Sequence, residues 1–235
     1  MNIRKEVYRK ISSFMKSKGF SFSRNNYYYI NNDIAYCVAF EIPCALLYVT
    51  AYIMPLYIPS ECIYYTYGNR LNVLKGIELP LLRRDSDEKE IDEWCAKFFR
   101  CMEDYVIPFY KKIDTPNRLL ESFEKKSGYL QADFSCPEVF SARLMMYTWL
   151  YLGDTLQAKL ATKRFYEILE ANTLLTNRVR QKYLDEVVLI RSLNQKGESA
   201  VQGFCLRNIA NTKRFFVECH KSGNGPLPYD RGPKL

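Results

Sequence analysis

A single histidine, His220, limits the acid–base chemistry available to this chain of 235 residues. Imidazole is the side chain that most often serves as a general base near neutral pH, and serine or cysteine nucleophiles rely on it. His220 lies beside a glycine- and proline-rich C-terminal stretch. The phosphate-binding patterns G-x-x-x-x-G-K-S/T and G-x-G-x-x-G are also absent from the sequence. We therefore predict no enzymatic activity and no cofactor. The alternative is an enzyme that works without histidine, through paired carboxylates in a pocket.

The eight cysteines do not form a metal-binding pattern. None of them belongs to a Cys-x-x-Cys pair, which zinc sites commonly contain. Several occupy apolar positions of predicted strands or helices, and residues 1–20 lack the apolar core of a secretion signal. This usage is typical of reduced thiols in a cytoplasmic protein, and it predicts no bound metal.

Two acidic features could take part in chemistry, although each has a structural explanation. Glu41 is the one acid inside an apolar strand pattern, where burial would raise its pKa and make it an acid or base. Its alternation onto the face opposite Phe40 instead favours exposure to solvent. Asp85 and Asp87 have the spacing of a metal-binding pair, but they begin a predicted helix, where carboxylates cap amide groups.

The best local candidate for a binding site is the segment 64–72, YYTYGNRLN, which places aromatic rings, a glycine turn, amides and one arginine at a strand end. Arg70 and Asn69 could hold an anion or the backbone of a partner. The alternative is a structural arginine that pairs with a carboxylate and packs on a tyrosine. We predict a partner-binding set that combines this segment with the N-terminal helix: Tyr65, Tyr67, Asn69, Arg70, Arg4 and Lys5.

The net charge of +8 and the pI near 9.0 favour acidic partners. Positive charge is concentrated in residues 1–30 and 203–235, and an acidic run from Asp85 to Glu93 lies between them. We predict a protein partner with an acidic surface. The alternative function is nucleic-acid binding by the basic N-terminal helix and the C-terminal region, with tyrosines stacking on bases. A further alternative is a basic face that is only solvated.

The first third of the chain predicts a helix followed by an antiparallel sheet of about four strands. Apolar residues recur at helical spacing over 3–18, and Gly19 ends that helix. Residues 34–42 alternate between large and small side chains, which predicts a half-buried strand with its large residues inward. The other predicted strands are 27–30, 46–54 and 62–67, with a turn at Asn31-Asn32-Asp33.

The uncharged stretch 42–60 approaches the length of a membrane span. It contains three prolines and three tyrosines, and its apolar residues alternate. Because a strand pair explains this pattern better, we predict no membrane span.

From about residue 80 onwards the periodicity is helical. Predicted helices begin near Asp85 or Ser86, Thr115, Cys136, Gly153, Leu174 and Ala200, and Pro108 is predicted to end the first of them. The predicted class is α+β. We expect a helix-and-sheet unit at 1–80, a helical unit packed on it at 81–220, and a loose tail at 221–235.

Several short motifs of residues 1–125 resemble a family of uncharacterised bacterial domains with a KGF…FYR opening. The motifs are KGF at 18–20, YYY at 27–29, PLYIP at 55–59, YGNRL at 67–71, and YVIPFY at 105–110 followed by Thr115-Pro116. Some members of that family are regarded as immunity proteins of toxin loci. The resemblance implies a bacterial protein that binds and neutralises a toxin or effector, and it supplies no catalytic residues.

Overall fold

In a computed structural model, the chain is described over residues 3–23, 25–60, 67–73, 79–124 and 137–217. A helix, an antiparallel sheet and a run of helices follow one another, which confirms the predicted α+β class. The helices are α1 (Ile3–Ser17), α2 (Glu88–Cys101), α3 (Ile107–Lys112), α4 (Pro116–Glu124), α5 (Pro137–Tyr151), α6 (Thr155–Ala171), α7 (Asn177–Lys196) and α8 (Glu198–Val217). The strands are β1 (Ser21–Ser23), β2 (Asn26–Asn31), β3 (Ile34–Glu41), β4 (Leu46–Pro55), β5 (Tyr67–Arg70) and β6 (Leu82–Arg83).

The strands lie in the order β1-β2-β3-β4-β5, and β6 pairs with the start of β4. In this register Tyr36 of β3 lies between Tyr29 and Ile53. Six strands are present in the described residues instead of about four, because β1 and β6 have only three and two residues and show no alternation. The predicted strand 62–67 lies mostly outside the described residues, and β5 begins at its last residue.

Strand β3 is buried on both faces, which corrects the prediction of a half-buried strand. Its large side chains face α1 and α2, where the Phe40 ring lies 5.4 Å from that of Tyr8 and 5.7 Å from that of Phe98. The small residue Cys37 is also inaccessible to solvent, and its cross-strand neighbour Tyr28 contacts Phe216 of α8. The face of β3 that carries the small residues is therefore covered by packed side chains, including Phe216 of α8, and not by solvent.

Helix α2 begins behind an N-cap formed by Asp87, and not by the predicted Asp85 or Ser86. The Asp87 carboxylate accepts from the amide of Glu90 (2.8 Å), and the Glu90 carboxylate accepts from the amide of Asp87 (3.0 Å). The helix starts later than predicted because Ser86 belongs to a turn, in which its amide donates to the carbonyl of Arg83 (3.1 Å).

Pro108 does not end this helix, so that prediction was wrong. The chain continues through a short π-helical segment, Met102–Val106, directly into α3. Proline lacks an amide hydrogen and its ring crowds the preceding turn, so a wider turn accommodates Pro108 without breaking the helix. The continued helix brings Tyr110 to the sheet, where its hydroxyl donates to the carbonyl of Cys37 (2.6 Å).

The helical half is built from two hairpins, α5–α6 and α7–α8. Gly153, with a φ of 77°, joins α5 to α6 at the predicted turn. Helix α7 starts behind Thr176, later than the predicted Leu174, because the side chain of Asn172 accepts the amide of Leu174 (2.9 Å) outside the helix. Gly197, with a φ of 88°, separates α7 from α8.

The helical half is attached to the turn between β2 and β3. Asp33 accepts hydrogen bonds from Lys213 of α8 (2.9 Å) and from Tyr151 of α5 (3.1 Å). Asn32 and Asp33 both have positive φ, 48° and 57°, which confirms the predicted turn. Among the described residues, one cluster of buried apolar side chains extends from α1 to α8, so the sheet and the helical half share a core.

Replacing Gly68 with alanine is expected to lower the free energy of unfolding by about 1–3 kcal/mol. Gly68 lies inside β5 rather than in the predicted glycine turn. A Cβ there would lie 2.1 Å from the carbonyl oxygen of Ala51 and 2.4 Å from the Cα of Tyr52. Because both neighbours are backbone atoms, β5 would have to move away from β4. Urea unfolding followed by circular dichroism measures the change.

The matched control for this variant is Gly203→Ala in α8. The nearest atom to a Cβ at Gly203 is 3.5 Å away, on the flexible side chain of Arg207. Because alanine favours a helix more than glycine does, this control should be neutral or stabilising. A Gly68→Ala protein as stable as the wild type would contradict the tight approach of β5 to β4.

Candidate functional site

The alternation of β5 divides the predicted binding segment between the two faces of the sheet. Tyr67 points into the core, where it is 2% exposed, its ring packs on Phe123, and its hydroxyl shares a hydrogen bond with Ser122 of α4 (3.0 Å). Tyr67 is therefore not accessible to a partner. Tyr65 lies outside the described residues.

Arg70 extends from the other face of β5, at the end of the sheet where β3 and β4 are joined. Its guanidinium lies over the ring of Tyr48, 4.7 Å from the ring centre, and its Nη2 is 3.6 Å from Oε2 of Glu41. The arginine side chain is 46% exposed and that of Glu41 is 38% exposed. We call these three residues, Arg70, Tyr48 and Glu41, the Arg70 surface.

Two sequence-based interpretations are confirmed by this geometry. Arg70 pairs with a carboxylate and packs on a tyrosine, which is the structural alternative stated for it. Glu41 is partly exposed to solvent, which agrees with its alternation onto the face opposite Phe40. Asn69 precedes Arg70 in β5 and therefore alternates to the opposite face. Its Oδ1 accepts the backbone amide of Arg70 (2.7 Å).

A strained turn adjoins the Arg70 surface between β3 and β4. Cys44 has a φ of 53° and Ala45 a φ of 66°, although neither is glycine. Side chains with a Cβ rarely adopt this left-handed conformation, and such strain is concentrated at functional sites. Both residues are exposed to solvent. The turn therefore extends the accessible surface beside Glu41.

Arg4 and Lys5 do not belong to the same surface as Arg70. They lie on α1, whose Tyr8 packs against Phe40 on one face of β3. Glu41 follows Phe40 and points to the opposite face, which is the face that Arg70 shares. The Nε atom of Arg4 is buried. The sheet thus separates the predicted partner-binding residues into two regions.

The basic face of α1 is paired with the acidic run on α2. Lys10 contacts Asp92 (2.5 Å) and Glu88 (3.2 Å), and Lys18 contacts Glu103 just beyond α2 (2.7 Å). Lys10 therefore joins the basic N-terminal region to the acidic run in the fold. These ion pairs reduce the positive charge that α1 presents to a phosphate backbone.

A small pocket of about 120 Å³ lies between the α5–α6 turn and the α7–α8 turn. Its two carboxylates already have partners, since Asp154 accepts the amide of Gln157 (2.9 Å) and Glu198 accepts from Gln202 (2.9 Å). Burial raises the pKa of Cys205, in the same pocket, to about 11. The lining residues thus provide neither a thiolate at neutral pH nor a carboxylate without a hydrogen bond.

No metal-binding cluster is seen in the described part of the chain, where three or more histidine, cysteine or acidic side chains never converge. Burial raises the pKa of Cys37 and of Cys101 to about 12, which keeps both thiols protonated at neutral pH. Among the described helices, none has the length and hydropathy needed to cross a bilayer. Within the uncharged stretch 42–60, residues 46–55 form the single strand β4, where a strand pair was predicted.

Sequence reasoning missed a buried ion pair between α5 and α7. Arg143 donates to both carboxylate oxygens of Glu186, at 2.6 and 2.8 Å, and the two side chains are 8% and 10% exposed. The guanidinium also donates to the carbonyl of Pro59 (3.2 Å) and lies near the rings of Tyr147 and Tyr183. A charged residue within the apolar run of α5 was the signal that could have indicated it.

Comparison with known proteins assigns no family and no function to these residues. The chain matches no family model, and neither the curated proteins nor the solved structures give a match. The resemblance of residues 1–125 to the bacterial domain family with a KGF…FYR opening therefore stays an expectation.

Proposed function

We propose that the protein is a non-enzymatic binding module that recognises another protein through the Arg70 surface. The observation that carries the proposal is the half-exposed guanidinium of Arg70, held in place over Tyr48. Arginine and tyrosine are favoured anchors of protein interfaces. A side chain that is already positioned loses less conformational entropy when a partner binds.

The proposed partner has an acidic surface, because the chain carries a net charge of +8. An immunity-like role, in which the partner is a toxin or effector, is the specific form of this proposal. It is supported by the sequence resemblance and by the small number of groups suited to catalysis.

Nucleic-acid binding is the alternative, through the basic N-terminal helix and the C-terminal region. It has less support, because Lys10 of α1 and Lys18 in the turn after α1 already pair with carboxylates. Its diagnostic property is an affinity that falls steeply as salt rises, since bound counterions are released. Residues 218–235, part of the proposed basic region, lie outside the described residues.

Affinity capture from a lysate of the source organism tests the proposal. Three full-length proteins are immobilised: wild type, Arg70→Ala, and the control Arg178→Ala, which removes an exposed arginine at the start of α7. We expect one protein to be retained by wild type and by Arg178→Ala after nuclease treatment, at both low and moderate salt. Arg70→Ala should lose at least about nine-tenths of it, as expected for an interface hot spot worth about 2 kcal/mol or more.

Two results would overturn the proposal. Recovery of nucleic acid alone, lost as salt rises, would favour the alternative function. Equal capture by wild type and Arg70→Ala would place the interface elsewhere. Circular dichroism of each variant shows that its fold is intact, and we expect little change because an exposed ion pair contributes about 0–1 kcal/mol.

A further inference from the structure

We infer that the Arg70 surface recognises a carboxylate of the partner, and that Glu41 is an internal competitor which that carboxylate displaces. This inference rests on the proposed function and names the chemical group that the surface binds. It follows from three observations: unused donors on Arg70, a complete arginine–carboxylate pair elsewhere in the chain, and the position of Glu41.

Among the described residues, the guanidinium of Arg70 has N–H donors without a hydrogen-bond acceptor. An arginine side chain offers five N–H groups in a planar fork. Within the described residues the Arg70 side chain makes no hydrogen bond, and its contact with Glu41 is 3.6 Å, beyond the usual hydrogen-bond range. Stacking on Tyr48 occupies one face of the guanidinium and leaves its edge free to bind a planar acceptor.

Arg143 shows what a complete pair looks like in this protein. It also lies against tyrosine rings, 5.2 Å from Tyr147 and 5.6 Å from Tyr183, and it donates two hydrogen bonds to one carboxylate. Arg70 also lies over a tyrosine ring, that of Tyr48, but lacks the two-point carboxylate. A carboxylate from outside would complete the arrangement, with each oxygen accepting one N–H.

Glu41 cannot supply that carboxylate in its present position. It lies on β3 directly opposite Tyr48 of β4, and the hydrogen bonds between these strands fix its backbone. From there it brings one oxygen to one Nη of Arg70, at 3.6 Å. A partner's carboxylate that accepts two N–H groups of Arg70 would replace this one-oxygen contact, so Glu41 weakens binding by competing for the same charge.

A titration of the full-length chain by nuclear magnetic resonance tests this inference, with the Nε–H signal of Arg70 as the readout. The probe is an N-acetylated, C-amidated octapeptide rich in glutamate, and the matched control peptide has glutamine at the same positions. A glycine–serine octapeptide with a free C-terminus separates a terminal carboxylate from side-chain carboxylates. Single-stranded DNA is the fourth probe, because a phosphate also fits a guanidinium fork.

We expect a saturable shift of the Arg70 signal with a carboxylate peptide and none with the glutamine peptide. Glu41→Gln should bind about two- to fivefold more tightly, because an exposed competing ion pair worth up to about 1 kcal/mol is removed. Arg70→Lys, followed through backbone amides, should bind about tenfold more weakly, since lysine cannot form the two-point contact. The control Arg178→Lys should bind like the wild type.

The inference is overturned if no carboxylate peptide moves the Arg70 signal, or if Glu41→Gln binds no more tightly than the wild type. Equal binding by Arg70→Lys and wild type would also overturn it. A response to DNA alone would assign the surface to phosphate. The two tests can fail separately. If the peptide titration fails but the lysate capture depends on Arg70, the surface is a protein interface that does not recognise a carboxylate.

Discussion

Raising the pH from about 9 to about 11 is expected to unfold the protein in one cooperative step. Burial raises the pKa of Cys37 and of Cys101 to about 12. Burial also raises the pKa of Tyr36, Tyr57 and Tyr110 well above the ordinary value of 10. Ionising any of these groups places a charge inside the shared core, which the folded state cannot solvate.

The direction of the effect follows from proton linkage. Each group is neutral when protonated, and its raised pKa means that the folded state holds the proton more tightly than the unfolded chain does. The stabilisation is complete below the unfolded pKa values, about 8.5 for cysteine and about 10 for tyrosine. It is lost as the pH rises towards the folded values, at about 1.4 kcal/mol per group per pH unit.

Five such groups lose on the order of 10 kcal/mol by about pH 11, which is comparable to the whole stability of a typical domain. Far-ultraviolet circular dichroism and tyrosinate absorbance, followed together as the pH rises, should change at the same pH. Return to neutral pH should restore the folded signal. Tyrosines that all ionise near pH 10 while the circular dichroism stays native would contradict the prediction.

Arg143→Met is expected to lower the free energy of unfolding by about 3–5 kcal/mol. The substitution keeps most of the apolar volume but leaves the Glu186 carboxylate buried without its cation. The carbonyl of Pro59 also loses the hydrogen bond from the guanidinium. Chemical unfolding of the wild type and the variant, with circular dichroism as the signal, measures the loss.

Two further variants separate the buried charge from a general effect of the mutation. Arg143→Met with Glu186→Leu removes both charges, so it should recover most of the lost stability. Lys163→Met removes the cation of an exposed pair with Glu167 on α6, and its effect should stay within about 0.5 kcal/mol. If the double variant is no more stable than Arg143→Met, an unpaired charge is not the cause.

The fold was predictable where the residue types of a short segment determine its backbone conformation. Gly19 and Gly153 end their helices at the predicted places, with φ of 84° and 77°. The turn at Asn32 and Asp33 was predictable from its residue types for the same reason. Strands β1 and β6 were not predictable, because so few residues show no period and their pairing depends on a neighbouring strand.

The candidate site was predictable only in part. The segment around Arg70 was identified from its composition, and the pairing of Arg70 with a carboxylate was one of the stated alternatives. The side chains of this segment lie on two faces of the sheet. The register of β5 against β4 decides which of them enter the core, and it places Tyr67 there. The grouping of Arg70 with Arg4 and Lys5 did not anticipate that the sheet lies between them.

The sequence by itself determined the class of fold, the helix ends marked by glycine, and the scarcity of groups that could act in catalysis, because these depend on residue type and local spacing. Only the tertiary structure decided which charges meet. Lys10 and Asp92 are 82 positions apart, and Arg143 and Glu186 are 43 positions apart. Contacts at such separations follow from how helices and strands pack, and no local period encodes them. The exposure of Arg70, on which the proposed function depends, is a product of that packing.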